Sequence, residues 1–384
     1  MFQRLSFMIF LFIVCSTASA CFTKDRSGVP CLGAGEKNDL AWINQLIGQS
    51  NDRKAAIQEC AAIGLTATGT GNSIASSGGD TSGGTDGSGS GGSCSPGDWV
   101  VYSSPQSRPW YSVTYGGGKF VAVASGGTDQ IMTSSDGINW TATNAPASNS
   151  WYSVTYGGGK FVAVAGGLTN TIMTSTDGST WTALNAPANS MWDAVTYGGG
   201  KFVAVASGGM TNSIMTSTDG STWTALNPPA ASPWTAITYG GGKFVALASG
   251  SSNSIMTSTD GNTWTAINAP ASNMWQSVTY GGGMFVAVAD NGGTNRIMTS
   301  SDGTTWTASI PPENNGWISI AYGGGKFVAV SSDGTNRIMT SSDGSSWSVS
   351  AAPEVNNWSS ITYGGGKFLA VGVSGIKQIL TICE

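Results

Sequence analysis

The residues able to do chemistry in this 384-residue chain fall into a few recurring sets. Six aspartates share one context: Asp136, Asp177, Asp219, Asp260, Asp302 and Asp343 each stand two residues after a serine, directly before a glycine and four residues before a tryptophan. Arg296 and Arg337 both sit in the segment TNRIMTS, and Glu313 and Glu354 each follow a proline. A glycosidase needs two carboxyls about 5 to 9.5 Å apart, and Glu313 with Glu354 is the pair from which one would be built. The chain has no histidine. That removes the Ser-His-Asp arrangement and most zinc sites. A net charge of −5 leaves no basic patch for a nucleic-acid partner. No metal or cofactor set is expected.

These sets recur because the chain recurs. Trp110, Trp151, Trp192, Trp234, Trp275, Trp317 and Trp358 lead near-identical units 41 or 42 residues long. A period of this size marks a solenoid, an array or a propeller. Within the first unit, four strand-like pieces follow one another: 110–115 (A), 119–124 (B), 130–134 (C) and 139–144 (D). Gly116-Gly117-Gly118 and Ser135-Asp136-Gly137 supply turns, and four short antiparallel strands make one propeller blade.

The seventh unit stops after its strand C. Its missing strand D lies ahead of the first unit, since Trp99 precedes Trp110 by 11 residues as Trp140 precedes Trp151. The expected fold is therefore all-β: a seven-bladed β-propeller of four-stranded antiparallel blades over residues 94–384, with the N-terminal strand closing the last blade. Registering the units places Cys94 and Cys383 on the position of Ser135, in the C–D turn on either side of the break. A Cys94–Cys383 disulfide is expected there. It would close so long a loop that the entropy model gives about 5 kcal/mol.

The N-terminal part differs. Residues 1–20 read as a signal peptide, with Arg4, a short apolar run at 5–14 and Ala18-Ser19-Ala20 before the cut. The mature chain would start at Cys21. Export would leave five cysteines, an odd number. Cys21 is a lipidation candidate, and a lipid there is the only membrane link expected. Residues 21–65 read as a small helical cap or tether stapled by Cys31–Cys60. Residues 66–93 are a Gly/Ser/Thr-rich linker with an r.m.s. span of roughly 30 Å.

The segment Ser175-Thr176-Asp177-Gly178-Ser179-Thr180-Trp181 resembles the Asp-box, or BNR repeat, of sialidase-like propellers, with the glycine one residue early. The kelch repeat is a rival, through Gly126-Gly127. The Asp-box resemblance covers the repeat region and implies a propeller in which these aspartates are structural turns. Sialidase chemistry, as the resemblance has it, needs three arginines on the substrate carboxylate, a Tyr–Glu pair and an acid. The repeat region has only Arg108, Arg296 and Arg337, so a non-catalytic variant is expected.

In such a blade the A–B and C–D turns share one face of the disc, and the B–C and D–A loops share the other. The first face carries Lys119, Lys160, Lys201, Lys243, Lys326 and Lys367 beside the aspartates, with Met284 in the remaining place; it reads as a solvated rim. The second is the more variable and is the expected ligand face. Its candidates are the seven leading tryptophans, Asn170, Asn212, Asn253, Asn295, Asn336, Arg296 and Arg337. Tryptophan and asparagine together suit a sugar, although each tryptophan also suits a wedge between blades and each asparagine a turn cap. The expected function is an exported, monomeric, non-enzymatic module for a protein or glycan ligand, at or outside the cell surface. A multivalent lectin is the alternative, and a sialidase-like glycoside hydrolase is the third reading.

Overall fold

The structure, a computed structural model, describes residues 97–383 apart from 168, 209, 210, 251, 252 and 292, and of Cys383 the backbone alone. These residues belong to the unit Gly89–Glu384. The expected signal peptide, Cys21, the cap with Cys31 and Cys60, the linker and Cys94 lie outside the described residues, and with them both disulfide pairings.

The described chain forms seven four-stranded antiparallel sheets. Blades 1 to 6 span 110–143, 150–184, 192–226, 234–267, 275–309 and 317–350. Blade 7 joins Trp358–Gly364, Lys367–Gly372 and Ile379–Cys383 to Trp99–Tyr102 from the other end of the chain. Trp99 pairs with Ile382 and Tyr102 with Ile379. The ring is thus closed by the displaced strand. In blade 7 the third strand runs on through Cys383, where blade 1 has turned at Ser135. With no hairpin to make there, the strand simply continues.

In each blade strand A is innermost and meets strand A of the next blade, while strand D is outermost. Strand B is buried on both sides, because it is sandwiched by neighbours. That is why Lys119–Ala124 (KFVAVA) is apolar on both faces rather than alternating. Gly117 and Gly118, at φ of 55° and 79°, make the A–B turn in a region closed to most side chains. Strand D is shorter than its composition suggests, Thr141–Thr143. Trp140 belongs instead to the turn, where its indole N–H donates to the Gly137 carbonyl at 3.1 Å.

The hydrophobic core is not one cluster but seven, each spanning a seam between blades. Val121, Val123 and Ile131 of blade 1 pack with Trp151, Val154 and Phe161 of blade 2. Trp110 does the same between blades 7 and 1, against Leu369, Val371 and Ile379. A second contact repeats nearer the channel. The ring of Tyr156 lies on Gly116 of the preceding blade, and the series runs round to Tyr115 on Gly364.

Candidate ligand face

Hydrogen bonds confirm how the two faces divide. Lys119, from an A–B turn, donates to the Asp177 carbonyl in the C–D turn of the next blade at 2.7 Å. Gln130, from a B–C loop, donates to the Asn149 carbonyl in a D–A loop at 2.5 Å.

The first face is solvated, with five of its six turn aspartates exposed, and it is also tied across the seams. Lys160, Lys201, Lys243 and Lys367 make the same cross-seam bond, to the carbonyls of Asp219, Asp260, Asp302 and Asp136. Each aspartate organises its own turn. In the first, Asp136 Oδ1 accepts from the Ile138 and Asn139 amides at 2.8 Å each. The Ser134 hydroxyl donates to the same carboxylate at 2.9 Å and accepts from the Gly137 amide at 2.8 Å. This bonding favours the charged form. The Thr263 amide, then the Asn262 amide and the Ser258 hydroxyl, hold the Asp260 carboxyl down to about 2. The Ser346 amide leads the same set at Asp343, also at about 2. The other four are lowered too.

On the second face the structure reassigns most of the expected ligand residues. All seven leading tryptophans are 0% exposed. They offer no indole face to a sugar, because each fills the wedge between two blades. Arg296 is a clamp: its Nη1 donates to the Asn314 and Asn315 carbonyls at 2.9 and 2.7 Å, across the seam to blade 6. Arg337 repeats this on the Asn356 carbonyl at 2.7 Å. Asn170 and Asn212 are turn residues with φ of 52° and 53°. Their amides donate to Asn185 and Asn227 at 2.8 and 2.9 Å. Carbonyls of Asn253, Asn295 and Asn336 accept from Ser232, Asn273 and Asn315, joining the B–C loop to the loop that leads into its own blade. The two glutamates serve separate partners. Glu313 accepts from the Asn336 and Asn315 side chains, and Glu354 pairs with Lys377 at 2.7 Å.

A different set of residues does stand out on this face. In every blade the ladder between strands A and B slips once, at the same place. Trp110 pairs with Ala124 and Ser112 with Val123, so Tyr111 is skipped. The skipped residues in the other blades are Tyr152, Asp193, Thr235, Gln276, Ile318 and Ser359. A bulge frees a residue from pairing and re-aims its side chain. These seven lie on the innermost strands, at the loop-face end of the channel. They reach along the ring: Tyr111 meets Tyr152 edge-on at 5.5 Å between ring centres. Thr235 donates to the Trp275 carbonyl at 2.7 Å, and Ser359 to the Trp110 carbonyl at 2.5 Å. Burial pushes the Tyr111 phenol up from its ordinary value, opposed by a hydrogen bond with Ser125. The preceding tryptophan never changes, yet the skipped residue is aromatic, acidic, amide, aliphatic or hydroxyl in turn. That contrast was visible in the repeat alignment and was the signal to follow.

No protein-family model matches the chain, and no curated protein matches it significantly. Solved propellers do. A selenomethionine-substituted virginiamycin B lyase from Staphylococcus aureus is similar with a TM-score of 0.66 at 16% identity, over 75% of this chain and 98% of the lyase. YCF48 bound to D1 peptide is similar with a TM-score of 0.58 at 16% identity, over 74% of this chain and 95% of YCF48. The Cps50 (Swd1) β-propeller domain of Myceliophteria thermophila follows at 0.57 and 12% identity, over 74% of this chain and 99% of that domain. At these identities the likeness is one of fold.

Proposed function

We propose that this chain is a binding or scaffold propeller that takes its ligand on the loop face, around the channel mouth. One observation carries the reading: near-identical blades place bulged residues of mixed chemistry at one end of the channel, of which Tyr111, Thr235, Gln276, Ile318 and Ser359 are partly exposed and Tyr152 and Asp193 are buried between them. A frame this uniform with one varied ring suits recognition of an extended surface. The glutamates from which a hydrolase would be built each serve a local partner, which favours binding over catalysis. Among fold neighbours, YCF48 bound to D1 peptide shows a propeller engaged with a protein segment, and a protein ligand is our preferred class. We also group the chain with non-catalytic Asp-box propellers, on its aspartate turns, and place it outside the cytoplasm, on residues 1–20.

The test is cross-linking of the intact exported protein to its surroundings, repeated with two variants. Tyr111→Ser with Ile318→Ser alters the loop face; Lys119→Ala with Lys160→Ala alters the opposite face. Loss of the cross-linked partner only in the first supports the reading. Equal loss in both, or loss only in the second, refutes it.

A further inference from the structure

We propose that the loop face takes a polypeptide presenting aliphatic side chains, and that this partner docks on one sector only, the loops of blades 5 to 7. The inference rests on the loop-face reading above and narrows it.

Measured against the repeat, three positions in that sector have changed from polar or small to aliphatic. Ile310 stands where blades 1 to 4 have Asn144, Asn185, Asn227 and Asn268. Val355 stands where the other D–A loops have small or polar residues, Ser272 and Asn314 among them. Ile376 replaces a threonine that five other blades keep, as at Thr128. The three side chains are not buried: they are 65%, 85% and 73% exposed. The fourth exposed large hydrophobic residue among those described, Ile138, lies in a C–D turn on the opposite face. Single exposed apolar residues are ordinary. Three in neighbouring loops, set against a polar template, mark a contact surface.

Hydrogen bonds join the loops that carry them. Arg296 holds the 310–316 loop by the Asn314 and Asn315 carbonyls. The Asn315 side chain donates to the Asn336 carbonyl at 2.7 Å. Arg337 donates to the Asn356 carbonyl at 2.7 Å, and the Asn356 side chain to the Lys377 carbonyl at 3.0 Å. Val355 and Ile376 each adjoin one member of the Glu354–Lys377 ion pair, which links their two loops. A surface fixed in this way loses little freedom when a partner arrives.

Charge divides the face along the same line. From Asn144 to Met274 its loops hold no charged residue, and Asp193, on strand A, is buried. The loops between Asp290 and Gln378 hold four acidic residues and three basic ones. That balance lacks the basic excess an anionic bilayer would draw on. Aliphatic side chains offer a sugar neither an aromatic face nor a hydrogen bond. An apolar cluster inside a rim of mixed charge fits the anatomy of a protein interface.

The probe is a displayed library of random short peptides, selected against the intact chain. Selected peptides should carry aliphatic side chains. They should lose affinity at least about tenfold, the loss of a well-packed anchor, when Ile310→Asn, Val355→Ser and Ile376→Thr are combined. These changes restore residues that the same loops carry in other blades, so the variant should fold, and its thermal midpoint checks this. Met191→Ser with Met274→Ser, in the uncharged loops, should leave binding unchanged. Equal loss in both variants, or loss in the methionine variant alone, overturns the sector and leaves the loop face standing. Peptides unaffected by the triple variant overturn the proposal, and if Lys119→Ala with Lys160→Ala abolishes them the loop-face reading falls with it. A selection that returns no aliphatic peptide also overturns the proposal, as does binding to phosphatidylserine vesicles that the triple variant abolishes.

Discussion

Tyr156 and Gly116 touch so closely that a Cβ on the glycine would lie 2.0 Å from the Tyr156 Cγ. The same pairing recurs at every seam, ending with Tyr115 on Gly364 at 2.1 Å. The tyrosine therefore needs a glycine in the blade before it. Gly116→Ala should destabilise the ring by about 1–3 kcal/mol, as overpacking does. Tyr156→Ala should cost less in the Gly116→Ala background than alone. Denaturant unfolding of the four-member cycle measures the coupling, and additive effects would contradict the contact.

Tryptophan at the wedge is a packing residue. Trp151→Ala should cost about 3–5 kcal/mol, because it opens a cavity that both flanking blades line. Unfolding midpoints measured with and without the substitution check this.

Met284 occupies the place of the cross-seam lysine, and its sulfur would lie 2.7 Å from a Cβ on Gly344. Met284→Lys should restore the bond to the Asp343 carbonyl and stabilise the protein by about 1 kcal/mol. Lys119→Met should do the reverse. A thermal midpoint that does not move in either variant would show the lysine bonds to be idle.

Acid should loosen the aspartate turns. The folded Asp260 and Asp343 carboxyls titrate at about 2, below the unfolded value of about 3.9. A depressed folded pKa stabilises the fold fully above the unfolded value. That stabilisation fades as pH falls from about 4 through 2. Urea unfolding against pH should show the decline, and Asp260→Asn should make it shallower.

Much of the architecture was legible before any coordinates. The tryptophan spacing and the stray Trp99 together specify the blade count and the closing strand, since a period and a missing quarter-unit are plain arithmetic. The ligand face was harder. Tryptophan and arginine drew attention as binding types, but a residue type does not reveal burial. Trp151 is fully enclosed, and Arg296 spends its guanidinium on loop carbonyls. The variation at Tyr111 and its six counterparts is legible in the repeats, but the bulge that frees them from pairing leaves no trace in a pattern of alternation. Only the paired register shows which residue the ladder skips.

The closing strand has one more consequence, for the order of folding. The other outer strands are short triplets such as Thr141–Thr143 (TAT) and Thr182–Leu184 (TAL), nearly interchangeable between blades. Trp99–Tyr102 reads WVVY and has no near copy among them. Hairpins within blades can form locally and early. Pairing Trp99 with Ile382 must wait for the two ends of the repeat to meet, and non-local pairing is slow. The distinct sequence of that one strand lets the last step find its own partner among seven look-alike blades.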